Sequence, residues 1–208
     1  MRSRVQVDEP QWVCGVDEAG RGCLAGPIFA AAVVLDPGSP IAGLADSKQL
    51  TPKARQELEQ EIKANAIGYG IASATVREID ARGIEWANRI VFTRAVNAML
   101  KRFPHLKDLK LVVRIDGTRR AWRMGLPQET IVGGDRTDPA IAAASILAKT
   151  ARDRYVVETM HPRYPQYGFD RHKGYATTHH FQALRAWGPS PFHRMSFRLL
   201  GREADQAR

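Results

Sequence analysis

The sequence predicts a single α/β domain built on a central sheet. Apolar runs of strand length recur along the chain, and runs with helical spacing stand between and after them. A chain of 208 residues that is 44% hydrophobic can also bury one real core.

The first strand runs from Trp12 to Asp17 and is followed by Glu18 and then Gly20-Arg21-Gly22. Two carboxylates ending an apolar run are costly to bury without a partner. Adjacent strand side chains point to opposite faces, so one acid is expected in a cleft above the sheet. The other should reach it only where the strand bends or ends. The glycines bring bare main-chain N–H groups close to any ligand bound there. Ile28–Leu35 is a second, buried strand, and the short link through Gly26-Pro27 predicts an antiparallel hairpin.

A polar loop containing Asp46-Ser47-Lys48 leads into a helix, with Thr51 as N-cap and Pro52 as first helical residue. Ala54, Leu58 and Ile62 form its apolar stripe. Ile67–Val76 is a strand weakened by its glycines. A helix over 84–103 turns Ile84, Ala87, Val91, Ala95 and Met99 inward. Leu109–Ile115 then repeats the opening theme, an apolar strand ending at Asp116-Gly117. Thr130–Val132 leads through two glycines to Asp135. Asp138-Pro139 starts an Ala-rich helix reaching about Thr159.

The segment His161–Arg198 differs in composition. It carries six Lys/Arg against the single acid Asp170, five of the chain's histidines and a Tyr/Phe-rich run, Tyr164–Phe169. Basic residues among aromatics suit a surface that tracks a nucleic-acid backbone and stacks on bases. The alternative is a Pro-rich wrap whose histidines are satisfied by local hydrogen bonds. The chain as a whole has a formal net charge of +9, which favours a polyanionic partner, nucleic acid before membrane. Solubility alone is the bland explanation of that charge.

The sequence contains no charged-then-apolar leader and no apolar run long enough to span a bilayer, so a cytoplasmic location is expected. Cys14 and Cys23 read as small buried residues, not as a bridge or a metal pair.

Asp17, Glu18, Asp116 and Asp135 thus sit at strand ends or a helix entrance. If the first and fourth strands are neighbours, their ends share an edge. All-oxygen ligands select Mg²⁺ or Mn²⁺ over Zn²⁺. Two such ions can activate a water and stabilise a departing oxygen in displacement at phosphorus. Singly, each Asp is more often a turn residue. Asp46, Asp138 and Asp153 are read as an Asx-turn, a helix N-cap and a surface or ion-pair residue.

With its neighbours included, the chain resembles ribonuclease HII from about Trp12 to Phe197. The resemblance is carried by Gly15–Gly22 with Leu24–Pro27, Asp46–Leu50, Ile115-Asp116-Gly117, Gly134-Asp135, Ala143–Lys149 with Arg152-Asp153, Tyr167-Gly168-Phe169, His172–Tyr175 with Thr177 and His180, and His193-Arg194 with Ser196-Phe197. It implies an RNase H-like fold, a mixed central sheet flanked by helices, with a C-terminal helical or irregular extension. It implies hydrolysis of the RNA strand of RNA–DNA hybrids and nicking 5′ of single ribonucleotides in duplex DNA, leaving 3′-hydroxyl and 5′-phosphate ends. Its metal-binding acids match Asp17, Glu18, Asp116 and Asp135, its ribose-sensing turn matches Gly20-Arg21-Gly22, and its junction-sensing tyrosine matches Tyr175.

Ser47, Lys48 and Lys149 are candidate phosphate contacts, or a plain turn and an exposed helix lysine. Cys23 stands where Pro is usual and Thr118 where Asn is common, away from the assigned ligands. The position of the first motif favours the HII over the HIII subfamily. The expected organisation is a loose leader over 1–11, a catalytic domain over 12–160, a basic substrate-binding extension over 161–200 and a disordered tail over 201–208. A monomer is expected, with a replication partner on the tail as an open question. A junction resolvase of the same fold and a non-catalytic nucleic-acid binder are the competing functions. Tyr175 speaks against the first, and the presence of all four acids against the second.

Overall fold

The computed structural model describes residues 11–44 and 50–200. The loop acid Asp46, the candidates Ser47 and Lys48, most of the leader and the 201–208 tail lie outside them. Five strands, β1 (Trp12–Ala19), β2 (Ile28–Val34), β3 (Gly68–Ala74), β4 (Leu111–Asp116) and β5 (Gln128–Ile131), form one sheet in the order β3-β2-β1-β4-β5. The β3-β2-β1 half is antiparallel and the β1-β4-β5 half parallel, so the sheet is mixed. Both the expected hairpin and the expected β1–β4 neighbourhood are present.

Alternation along β1 decides what each face receives. Cys14 and Val16 point into a core against α3 (Ile84–Arg102), with Val91, Ala95 and Met99. Ala19 points the other way, against α5 (Pro139–Tyr155), with Ala143 and Leu147. Gly15 is fixed by this second layer. A Cβ on it would lie 2.0 Å from the Ala140 carbonyl carbon, so only glycine lets α5 approach the strand. The first helix, α1 (Pro52–Asn65), begins at Thr51 as its spacing predicts; the Thr51 hydroxyl accepts from Ala54 N–H. Asp138 caps α5 by accepting from the N–H groups of Ala140 and Ile141.

Three differences from the sequence reading have physical causes. β1 does not stop at Asp17; its pairing with β2 continues to Ala19↔Phe29 while its pairing with β4 stops at Val16↔Ile115. A short helix, α2 (Val76–Arg82), went unread, although Thr75 and Glu78 form a capping box that the Thr-x-x-Glu spacing announces. The Ala-rich helix leaves α-geometry at Tyr155 and ends in a π-turn over Val156–Met160.

Residues 161–200 are more ordered than an irregular wrap. A very short helix, α4 (Gly134–Thr137), precedes α5, and among the described residues beyond 160 two α-helices follow, α6 (Phe169–His172) and α7 (Thr178–Trp187). Tyr167 and Phe169, read as base-stacking candidates, are instead buried in a third apolar cluster with Val156, Met160 and Leu184. They stack on each other at 5.4 Å, which removes them from any nucleic-acid surface. No helix among the described residues is long and apolar enough to cross a membrane.

Candidate active site

The parallel β1–β4 ladder ends one residue short of two acids. Its register pairs Val16 with Ile115, and the next step sets Asp17 beside Asp116. Both belong to the α5 side of the sheet, where Ser145 hydrogen-bonds Asp17. Glu18 alternates to the α3 side, beside the Asn88 side chain. Period-two alternation therefore holds, and the two acids still share one cleft because β4 no longer covers that edge of β1. Gly133 turns the chain in left-handed conformation after β5 and places Asp135 on α4, at the mouth of α5. Asp116 Oδ1 accepts from Gly134 N–H at 2.8 Å, which ties the third acid to the turn that carries the fourth.

The resulting cleft has a volume of about 360 Å³. All four acids line it, together with Gly20, Arg21, Lys149 and Tyr175. Gly22 belongs to the same turn but is not part of the lining. Arg55 and Ser145 are lining residues that the sequence reading missed. Arg55 comes from α1, just after the polar loop, and its Nε is buried without a hydrogen-bond partner. No local pattern marks Arg55, since a helix Arg reads as surface; Ser145 lies in the Ala143–Lys149 stretch that carries the resemblance, but a Ser in an Ala-rich helix reads as filler with no assigned role.

The electrostatics are those of crowded acids. Asp17 is 6% exposed. Burial pushes its carboxyl well above the usual range, and the charges of Glu18 and Asp116 push the same way. Burial also raises Glu18, opposed by Asn88 and Arg21. Among the described residues no Lys, Arg or His nitrogen pairs with Asp17, Glu18 or Asp116 within 4.0 Å. Among the same residues no three His, Cys, Asp or Glu side chains already meet round one point. The donor set is carboxylate oxygen throughout, suited to a hard divalent ion held by a few carboxylates and completed by phosphate oxygens. The Asn88 Nδ2, buried without a partner, is a further polar atom left over at this edge.

The cations are placed as follows. Arg21 binds Glu85 at the start of α3, and Arg119 holds the same carboxylate at 2.7 Å. Lys149 pairs with Asp153 at 2.9 Å, fulfilling the ion-pair reading of Asp153, while its Nζ stands 5.1 Å from the Tyr175 ring. Tyr175 is 39% exposed and is the aromatic that the C-terminal region does present to the cleft. The histidines follow the local-hydrogen-bond alternative. His172, His180 and His193 are buried, and His180 Nδ1 bonds the Tyr175 carbonyl at 2.9 Å. Both cysteines are free and buried, as expected of packing residues.

A mixed sheet between helices, with acids at the open end of its two central strands, defines the class of RNase H-like nucleases. The fold matches ribonuclease H2 from Pyrococcus horikoshii OT3 with a TM-score of 0.72 at 24% identity, covering 90% of this chain and 94% of that one. It also matches the RNase HII of Archaeoglobus fulgidus, solved with PCNA, with a TM-score of 0.68 at 23% identity over 94% and 99% of the two chains. Bst-RNase HIII in complex with Mn²⁺ follows with a TM-score of 0.67 at 17% identity, over 91% and 68%. In sequence, a ribonuclease HII of Burkholderia pseudomallei (strain 1710b) is 52% identical over 185 residues, 89% of this chain and 82% of that one. The family model for ribonuclease HII matches residues 14–200, and the chain belongs to that family. It is accordingly a metal-dependent endonuclease that degrades the RNA of RNA–DNA hybrids.

Proposed function

We propose that this chain also nicks duplex DNA on the 5′ side of a single embedded ribonucleotide, leaving 3′-hydroxyl and 5′-phosphate ends. The observation that carries the reading is the meeting of two kinds of group in one cleft. Four acids line it, and so do Gly20 and Arg21 of the glycine turn and Tyr175. The 2′-hydroxyl, donor and acceptor at once, is the group that separates a ribonucleotide from DNA. Main-chain groups of the glycine turn can reach it, and the exposed Tyr175 ring can stack on the neighbouring sugar or base.

Asp17, Glu18, Asp116 and Asp135 would hold Mg²⁺ or Mn²⁺, two ions with substrate bound. Bound there, the ions supply activation of the attacking water and stabilisation of the departing oxygen. The Mn²⁺ held by the HIII neighbour supports that donor chemistry. Ser145 holds Asp17 by a hydrogen bond and favours its ionised form, and the neighbouring Asn88 favours that of Glu18. Lys149 and Arg21 would contact phosphate, each giving up part of its present ion pair. Ser47 and Lys48, outside the described residues, would extend that contact. A replication partner on residues 201–208, also outside them, and action in the cytoplasm complete the proposal. The PCNA complex of the archaeal relative supports the partner.

Amide substitutions test the acid assignment. Asp17→Asn and Asp116→Asn should each lower the cleavage rate by at least about a hundredfold, the size expected for loss of a main electrostatic contributor. Hybrid binding, read by fluorescence anisotropy, should stay within a few-fold. Cleavage surviving either change would overturn the assignment.

A further inference from the structure

Two arginines next to the cleft have no exposed surface at all, Arg152 and Arg194. A buried guanidinium usually faces a carboxylate. Among the described residues Arg194 has no such ion pair, and the one carboxylate near Arg152, Asp153 at 3.9 Å, is already engaged by Lys149. Burial pushes the Arg194 guanidinium down to about 10, so the fold holds this cation against its desolvation.

Both forks are spent on main-chain carbonyls. Arg194 donates from Nη2 to Gly20 at 2.7 Å, from Nη1 to Arg21 at 2.8 Å and from Nε to Gly26 at 2.9 Å. Arg152 donates from Nη2 to Ala25 at 3.1 Å, from Nε to Pro27 at 3.3 Å and from Nη1 to Lys173 at 3.0 Å. Five of these six carbonyls lie in the 20–27 turn, and the sixth is two residues from Tyr175. Arg152 also lies under the Tyr175 ring at 5.6 Å. It fills the space beside Gly20 so closely that a Cβ there would lie 1.9 Å from its Nε.

Peptide geometry converts this into function. In a trans peptide the C=O of one residue and the N–H of the next point opposite ways. Drawing the Gly20 and Arg21 carbonyls onto Arg194 therefore turns the Arg21 and Gly22 N–H groups away from it. Neither N–H finds a protein acceptor among the described residues. Two consecutive free N–H groups form a small anion- or hydroxyl-binding nest. We propose that Arg152 and Arg194 are positioning residues for ribonucleotide recognition: their forks orient that nest and fix its distance from Tyr175. This rests on the functional reading above. A single ribonucleotide offers one register, so both elements must be in place at once. A long hybrid offers many registers and tolerates a looser turn.

Arg194→Lys and Arg152→Lys keep charge and stem but lose the fork. Each should cut kcat on a single-ribonucleotide duplex by roughly tenfold or more, as expected for small misplacement of a recognition element, while cleavage of a long RNA–DNA hybrid falls much less. Hydrogen exchange should accelerate in segments 18–27 and 172–177 and stay unchanged in β4. Phe197→Leu, which removes the ring 5.1 Å from Arg194, should move both readouts in the same direction by less and serves if Arg194→Lys does not fold. An unchanged ratio between the two substrates would overturn the proposal, as would exchange that rises evenly across the sheet. Wild-type enzyme that leaves the single-ribonucleotide duplex uncut marks a failure of the functional reading instead, while the exchange data still report on the clamp.

Discussion

Asp17 carries a conflict that one substitution can expose. Its carboxyl is buried beside two other acids, and its pKa is raised by that burial first and by their charges second. A raised acid opposes folding as pH climbs above its unfolded value, because the unfolded chain ionises first. Asp17→Asn should therefore be inactive yet melt higher than the wild type when divalent ions are chelated, by roughly 2–4 °C for each kcal/mol relieved. A lower melting temperature would show that the carboxylate is already compensated within the protein. Gly20 offers the opposite case. It has a φ of +93° and no room for a side chain against Arg152, so Gly20→Ala should lose both stability and cleavage. Its glycine was legible as a way for main chain to approach a ligand. That the space is taken by Arg152 was not legible, since Arg152 meets this turn from 127 residues beyond Ala25.

At the scale of elements, the strands and long helices were legible because their apolar periods are strong, and boundaries moved where pairing or a cap decided them: β2 carries β1 to Ala19, β4 draws β5 back to Gln128, and Thr75 caps α2 instead of extending β3. β1 is the instructive example. Its alternation is visible in the sequence, but not the fact that β2 accompanies it further than β4 does. That difference in partner length opens the cleft. The α2 helix was missed although its capping box is local, because seven residues show too little apolar period to register. Its Thr75→Ala variant should lose about 1 kcal/mol, measured by denaturant unfolding. The basic and aromatic composition after residue 160 misled for a physical reason. Composition counts Tyr167, Phe169 and Arg194 as surface, whereas the fold spends all three on its interior.

The whole molecule should be acid-sensitive. His180 and His193 are fully buried, hydrogen-bonded to each other at 2.9 Å, and each is pushed down to about 4, mainly by burial. With His180 Nδ1–H donating to Tyr175, its Nε2 accepts from His193, whose Nδ1 accepts from Ser190 N–H at 2.8 Å. That wiring needs both rings neutral. Because the folded-state values are depressed, the unfolded chain takes up protons first as pH falls. Stability is therefore full above about pH 6.5 and is lost between there and about 4, on the order of 3 kcal/mol for the first proton. Thermal melts across that range, with the 172–177 segment followed by hydrogen exchange, check the sign; a flat profile contradicts it.

The central claim is that four acids and a ribose-reading wall act in one cleft. The most direct measurement is strand nicking on a duplex with one embedded ribonucleotide, beside the all-DNA duplex of the same sequence, in Mg²⁺ and in Mn²⁺. The account predicts a single nick on the 5′ side of the ribonucleotide, dependent on the ion, with the DNA control intact. Equal cutting of both duplexes, or cutting in the presence of chelator, would contradict it.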